Sequence, residues 1–171
     1  GCVYINRNRM RDRILPIIFG GGHERGLRPG TLALHNIVGF GEACRIAEND
    51  MDKDIIEIHI LQNLLLEGLK KKYPQLIING DVNNRIPGNL NISFPNLGGE
   101  SLVKSLTKIA VSSGSACTSA SPEPSHVLKS IGLNQSLINS TIRVGIGRFN
   151  TKEEIDIALE HILEVVNRIK K

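Results

Sequence analysis

Cys117 lies in the run Ser112-Ser113-Gly114-Ser115-Ala116-Cys117-Thr118-Ser119-Ala120-Ser121, where nearly every neighbour is small or hydroxylic. Such a run buries little apolar surface, so the expectation is an exposed and mobile segment. A thiol there is accessible, and access with a favourable electrostatic setting makes a thiolate a nucleophile. Against this stand two blander readings: an incidental surface cysteine, or a core cysteine at a helix start. The run is not a serine-hydrolase elbow, because Cys117 occupies the place where G-x-S-x-G needs its last glycine. Cys2, in an expected strand, and Cys44, in an expected helix, read as inert core residues.

A second constellation is Gly20-Gly21-Gly22-His23-Glu24-Arg25-Gly26-Leu27-Arg28-Pro29-Gly30-Thr31. So much glycine excludes a helix or central strand and implies unusual backbone angles or a close approach by another group. Backbone donors, Arg25, Arg28 and a threonine at a helix start are what a phosphate site requires. The loop is neither a Walker loop nor the dinucleotide fingerprint, and a structural glycine turn remains the simpler reading of the residues alone. Arg143 sits in Thr141-Ile142-Arg143-Val144-Gly145, where a guanidinium among apolar neighbours suits a carboxylate held by two hydrogen bonds. The residues by themselves favour an ordinary edge-strand arginine, and Arg148 is less constrained. His35, His59, His126 and His161 read as surface or core-edge histidines.

The remaining composition limits the function. Hydrophobic residues make up 40% and charged residues 22% of 171 residues, which fits a folded domain rather than disorder. No apolar run approaches the roughly 20 residues of a membrane span, so no membrane association is expected. The net charge is +4, but no tryptophan and few other aromatics are present, so no direct nucleic-acid platform is expected. Three widely spaced cysteines and no secretory leader argue against a disulfide framework and for a reducing, cytoplasmic compartment, or the mitochondrial matrix in a eukaryote. No H-E-x-x-H or C-x-x-C occurs, so no metal site is expected. The chain starts without methionine, which suggests that it begins in mid-protein.

These residues need elements to position them. Cys2–Asn6 alternates as a strand, Ile14–Phe19 is a short apolar run, and Thr31 can cap a helix over 32–49. A polar break at 50–54 precedes a second helix over 53–72, whose apolar residues fall three and four apart and which Pro74 stops. Strands are expected at 76–78, 90–94, 109–111 and 141–146, with helices at 98–108 and 124–131. Thr151 and Glu154 form a capping box before a final helix with Ile155, Ala158, Leu159, Ile162, Val166 and Ile169 inward. The order is that of an α/β sandwich, with helices covering one sheet. Residues 1–50 read as the tail of a different unit and 51–171 as one compact domain.

Taken together, three segments resemble one family. Ser-Ser-Gly-Ser-Ala-Cys-Thr-Ser resembles the active-cysteine segment of NifS/IscS-type cysteine desulfurases. The glycine-arginine loop at 20–31 is similar to that family's loop, and Ile142-Arg143-Val144 before Gly147-Arg148-Phe149-Asn150-Thr151 is similar to its C-terminal segment. All three occur in the family's order. The resemblance implies a pyridoxal-phosphate transferase of fold type I working as a homodimer: residues 1–50 would be the end of the large cofactor-binding domain, and 51–171 the small α/β sandwich domain. It implies that sulfur passes from L-cysteine to a persulfide on Cys117, leaving L-alanine, and then to an iron–sulfur scaffold or tRNA-thiolation partner. Arg143 would grip the substrate carboxylate, and Thr31 the cofactor phosphate across the dimer interface. Arg25 and Arg28 would line that interface and the site.

The sequence departs from the family in length. The Schiff-base lysine of a Ser-x-His-Lys segment, the aspartate that pairs the pyridine nitrogen and the ring-stacking histidine have no counterpart here. Lys53, Lys70, Lys71, Lys72, Lys104, Lys108 and Lys129 do not match. The expectation is a C-terminal portion that is inactive alone and needs an N-terminal half. A non-catalytic persulfide carrier or docking module, and a degenerate fragment, are the alternatives.

Overall fold

The computed structural model describes residues 2–6, 14–97, 99–113 and 125–170. The chain divides into two compact units, Gly1–Met51 and Asp52–Lys171.

In the first unit, Cys2–Asn6 joins no sheet. The expected strand fails because alternation alone does not supply a partner for its backbone groups. No described residue of this unit is buried, and Leu15, Ile17, Phe19, Leu34 and Val38 are exposed. The cysteines expected in a core are exposed for the same reason: neither Cys2 nor Cys44 has a second layer over it.

Helix α1 runs Leu34–Lys72 without a break. The expected interruption at 50–54 does not occur, since that stretch is polar but contains neither proline nor glycine, and side-chain polarity alone does not end a helix. Three lysines, Lys70, Lys71 and Lys72, close its last turn, where cations complement the helix dipole.

The second unit is built on one antiparallel sheet of order β1-β2-β4-β3: β1 is Ile77–Ile78, β2 Asn89–Ser93, β3 Ser112–Ser113 and β4 Thr141–Gly145. Between them lie α2 (Gly99–Ser105), α3 (His126–Ser130) and α4 (Gln135–Asn139), and α5 (Lys152–Ile169) follows β4. The edge strand falls at 112–113 rather than at 109–111. The segment Leu106–Val111 is a strap whose Ile109 and Val111 pack on the core without pairing. Helix α4 has no counterpart in the sequence reading. It is only five residues long, too short for a periodic signal, and is marked by its cap: Asn134 accepts the Leu137 N–H at 3.0 Å.

Strand alternation gives the sheet two chemically different faces. Leu90 and Ile92 on β2 and Ile142 and Val144 on β4 point into the core. There they meet Leu65, Leu66 and Leu69 of α1 and Ile155, Ile162, Val165 and Val166 of α5. Gly68 lets these helices pack closely, since a Cβ there would collide with Leu159. Tyr73 meets Phe94 edge to face at 5.5 Å and donates its hydroxyl to the Pro95 carbonyl at 2.6 Å. The other face carries Asn89 and Asn91 on β2 and Arg143 and Gly145 on β4.

At the start of α5 the capping box forms as the sequence requires. Thr151 Oγ1 accepts the Glu154 N–H at 3.3 Å, and Glu154 Oε2 accepts the Thr151 N–H at 3.1 Å. Further along, Ile155, Ile162 and Val166 are buried, while Ala158, Leu159 and Ile169 are half-buried.

Candidate functional site

Arg143 lies on β4, and β4 is interior, flanked by β2 and β3. The edge-strand reading is therefore corrected: an arginine that faces solvent from an interior strand is not explained by edge exposure. Its Cα is in register with Asn91 on one side and Ser112 on the other, so the polar face carries Asn91, Arg143 and Ser112 in a row. The Arg143 side chain makes no hydrogen bond or ion pair with any described residue. A guanidinium without an acid partner among those residues can present its donor fork to an outside anion, and carboxylates fit that fork.

A cleft of about 400 Å³ opens beside it, with Pro87, Gly88, Asn89, Arg143, Gly145 and Gly147 among its lining. Glycine makes the cleft possible at two positions. Gly145 faces Asn89 across the pair, and a Cβ there would meet nothing within 4 Å. Gly88 has φ +77°, and a Cβ would strike the Ile146 carbonyl. Its backbone is pinned there: the Gly88 N–H donates to buried Gln62 Oε1 at 2.8 Å, and its carbonyl accepts the Ile146 N–H at 2.9 Å.

Behind the row runs a buried polar line. Thr141 Oγ1 donates to the Leu137 carbonyl at 2.6 Å, so at 2.6 Å from Ser93 Oγ it acts as acceptor. Ser93 in turn accepts from Asn79 Nδ2 at 2.8 Å, and the second Asn79 N–H goes to Asn91 Oδ1 at 2.7 Å. Every proton on this line is thus assigned, and it ties β1, β2, β4 and α4 together. Only alternation of small polar residues hinted at it in the sequence.

Cys117 lies outside the described residues. What is described is the strand that precedes it in the chain: Ser112, opposite Arg143, and then Ser113, opposite Ile142. On the other side Ser125 resumes the chain and caps α3, accepting the Leu128 N–H at 3.4 Å. Pro124 also lies outside the described residues. Arg148, after β4, pairs its Nε with Asp54 Oδ2 on α1 at 3.2 Å and stands 5.6 Å from the Phe149 ring, while Phe149 itself is exposed.

Thr31, Arg25 and Arg28 belong to the first unit and are exposed. The loop has the unusual backbone that its glycines imply: Gly26 and Gly30 have φ +80° and +99°. Glu24 and Arg25 share the left-handed region, at φ +48° and +60°. Side chains there cost about 1–2 kcal/mol each. The Gly26 N–H to Gly22 O bond, at 3.2 Å, closes the turn. Thr31 lies three residues before α1, beyond the range of a direct cap. Arg28 donates from Nη1 to the Pro29 carbonyl at 3.1 Å. A threonine hydroxyl and two guanidiniums are chemically suited to a phosphate.

Among the other histidines, His35, His59 and His126 are exposed. His161 is not: it is only 6% exposed, on the inward side of α5. No group of three potential metal ligands occurs among the described residues, and no described helix is long and apolar enough to cross a membrane.

Residues 1–158 match the family model described as aminotransferase class-V. The chain is 53% identical over 170 residues to cysteine desulfurase IscS of Vibrio vulnificus (strain CMCP6), covering 99% of this chain and 42% of the relative. It is 48% identical over 171 residues to the mitochondrial cysteine desulfurase of Arabidopsis thaliana, covering 100% and 38%. Among solved structures, a NifS-like protein superposes with a TM-score of 0.76 at 32% identity, covering 90% of this chain and 39% of the other. The NifS-like protein from Rickettsia africae ESF-5 gives a TM-score of 0.77 at 31% identity, covering 92% and 41%. The chain thus spans about two fifths of the length of the relatives it matches.

Proposed function

The chain belongs to the class-V aminotransferase family, a pyridoxal-phosphate-dependent family of fold type I, and on that premise we propose that it is the C-terminal part of a cysteine desulfurase. Residues 1–50 contribute the end of the cofactor-binding domain, and 51–171 form the small domain carrying the sulfur acceptor. The observation that carries the reading is the register of Ser112 with Arg143. The strand that leads in sequence to Cys117 is paired beside an arginine that has no acid partner among the described residues.

In this reading Arg143 binds the carboxylate of L-cysteine in the cleft beside Gly145. The Cys117 thiolate attacks the substrate sulfur; the Sγ–Sγ bond forms as the substrate's Cβ–Sγ bond breaks. The bonding pair remains on carbon and takes a proton, so Cys117 thiol plus L-cysteine gives Cys117 persulfide plus L-alanine, with no external oxidant. Pyridoxal phosphate supplies the electron withdrawal that makes this cleavage accessible. Thr31, with Arg25 and Arg28, would hold its phosphate, and the lysine that anchors it belongs to the N-terminal part of the enzyme. Glycine and serine around Cys117 suit a tether that carries the persulfide outward to an iron–sulfur scaffold or another acceptor protein. A second copy of the enzyme would complete the site across a dimer interface. The exposed apolar residues of the first unit support the need for such cover.

The test is reconstitution. The chain with pyridoxal phosphate and L-cysteine should release no alanine. Supplied with the N-terminal region of a desulfurase relative, it should turn over. Steady turnover by the chain alone, or none in the reconstituted protein, would refute the reading.

A further inference from the structure

His161 is the one buried histidine among the described residues, and it sits on the same side of α5 as Ile162 and Val165. A leucine would fill such a position without a polar atom to satisfy. The ring's Nε2 accepts the backbone N–H of Lys108 at 3.3 Å. With Nε2 accepting, the neutral ring carries its proton on Nδ1. Nδ1 is itself buried and lies 3.6 Å from Glu164 Oε2. The same carboxylate oxygen lies 3.9 Å from Lys108 Nζ. Lys108 is therefore gripped twice from α5, by its amide through His161 and by its side chain through Glu164.

What Lys108 belongs to gives this grip a consequence. It stands in the unpaired strap Leu106–Val111, which has no ladder bonds of its own and leads directly to Ser112 and Ser113. At its far end the strap is fixed by the register with Arg143 and Ile142. At its near end, the Leu106 and Thr107 amides bond back to α2 and Leu106 and Ile109 pack on the core, while beyond them His161 provides the strap's directional bond to α5. Apolar contact lets the middle of a strap slide; a hydrogen bond from Lys108 to a buried imidazole adds a directional restraint there.

We propose that His161 is a positioning residue for sulfur transfer. Through the Lys108 amide it sets the strap that leads into Ser112, opposite Arg143 and five residues before Cys117 in the chain. The proposal rests on the desulfurase reading, and its test separates the two. In the whole chain, His161→Leu should raise hydrogen exchange at the Lys108 amide, while His161→Gln, which keeps an acceptor, should restore protection. In the chain reconstituted with a desulfurase N-terminal region, His161→Leu should lower kcat for alanine release by about tenfold or more, because a misplaced nucleophile loses rate. KM for L-cysteine should stay within about twofold, and His161→Gln should recover most of the rate. An unchanged kcat in His161→Leu would overturn the proposal while leaving the desulfurase reading intact. So would a loss that tracks melting temperature alone, raises KM equally and is not rescued by glutamine. Absence of alanine from the unsubstituted reconstituted protein would overturn both.

Discussion

Ser112 stands directly opposite Arg143 across the β3–β4 pair, and the next residue, Ser113, stands opposite Ile142. Exposed Arg143 and the strand that precedes Cys117 in the chain thus share one short stretch of antiparallel register. A one-residue slip would send every side chain of β3 to the opposite face, so whatever fixes that register also fixes the site.

Arg143 has no described partner and is exposed, so its removal should cost the fold little. Arg143→Ala should leave thermal stability within about 0.5 kcal/mol of the parent. In the reconstituted enzyme it should cut kcat/KM for L-cysteine by about ten- to a hundredfold, the worth of a charge-assisted pair. Calorimetry and alanine release measure the two effects.

Gly88 should tolerate no side chain. Alanine there would meet the Ile146 carbonyl and come within 2.9 Å of Ile58 Cγ2, in a backbone conformation of φ +77° that favours glycine. Gly88→Ala should destabilise by at least about 1–3 kcal/mol, while Gly145→Ala, with open space around it, should cost far less. Urea denaturation of both variants distinguishes them.

The buried line from Asn79 to Leu137 should be sensitive to loss of its hydroxyl relay. Thr141→Val keeps the shape but leaves the Ser93 hydroxyl proton without its acceptor, while the Leu137 carbonyl keeps its bonds from Ser140, at a cost of about 1–3 kcal/mol. Thr141→Ser should recover most of that in the same denaturation assay.

The start of α5 should weaken in acid. The Asn150 side chain and the Thr151 amide, both bonded to the Glu154 carboxylate, hold it below the ordinary glutamate value. A lowered folded value means stability that is present above the unfolded-chain glutamate value of about 4.3 and is lost as the pH falls through the folded one. Thr151→Ala should cost about 1 kcal/mol at pH 7. Glu154→Gln should flatten the pH dependence of melting between pH 5 and 3, roughly the range in which such carboxylates titrate.

Legibility followed the range of the interactions. The α5 cap was plain because Thr151 and Glu154 satisfy each other within one turn, and the inward stripe of that helix was plain because burial imposes a 3.6-residue period. The strands carrying Asn91 and Arg143 were visible through alternation. What the sequence did not reveal was long range. His161 reads as a surface or core-edge histidine until Lys108, far away in the chain, is packed against it. Arg143 reads as an edge residue until strand order puts β3 outside it. Cys44 and Cys2 read as core because their apolar neighbours suggest a layer, yet those neighbours are exposed in this chain. The uninterrupted α1 was misread because a cluster of acids looks like a loop, although nothing in it breaks a helix.

The central claim is that Cys117 takes sulfur from L-cysteine bound at Arg143. The most direct measurement is mass spectrometry of the peptide carrying Cys117 after the reconstituted protein turns over sulfur-labelled L-cysteine, with acceptor withheld. The account predicts one labelled sulfur on Cys117, stoichiometric alanine, and loss of both in Cys117→Ser. Labelled sulfur on Cys2 or Cys44 instead, or undiminished alanine release from Cys117→Ser, would contradict it.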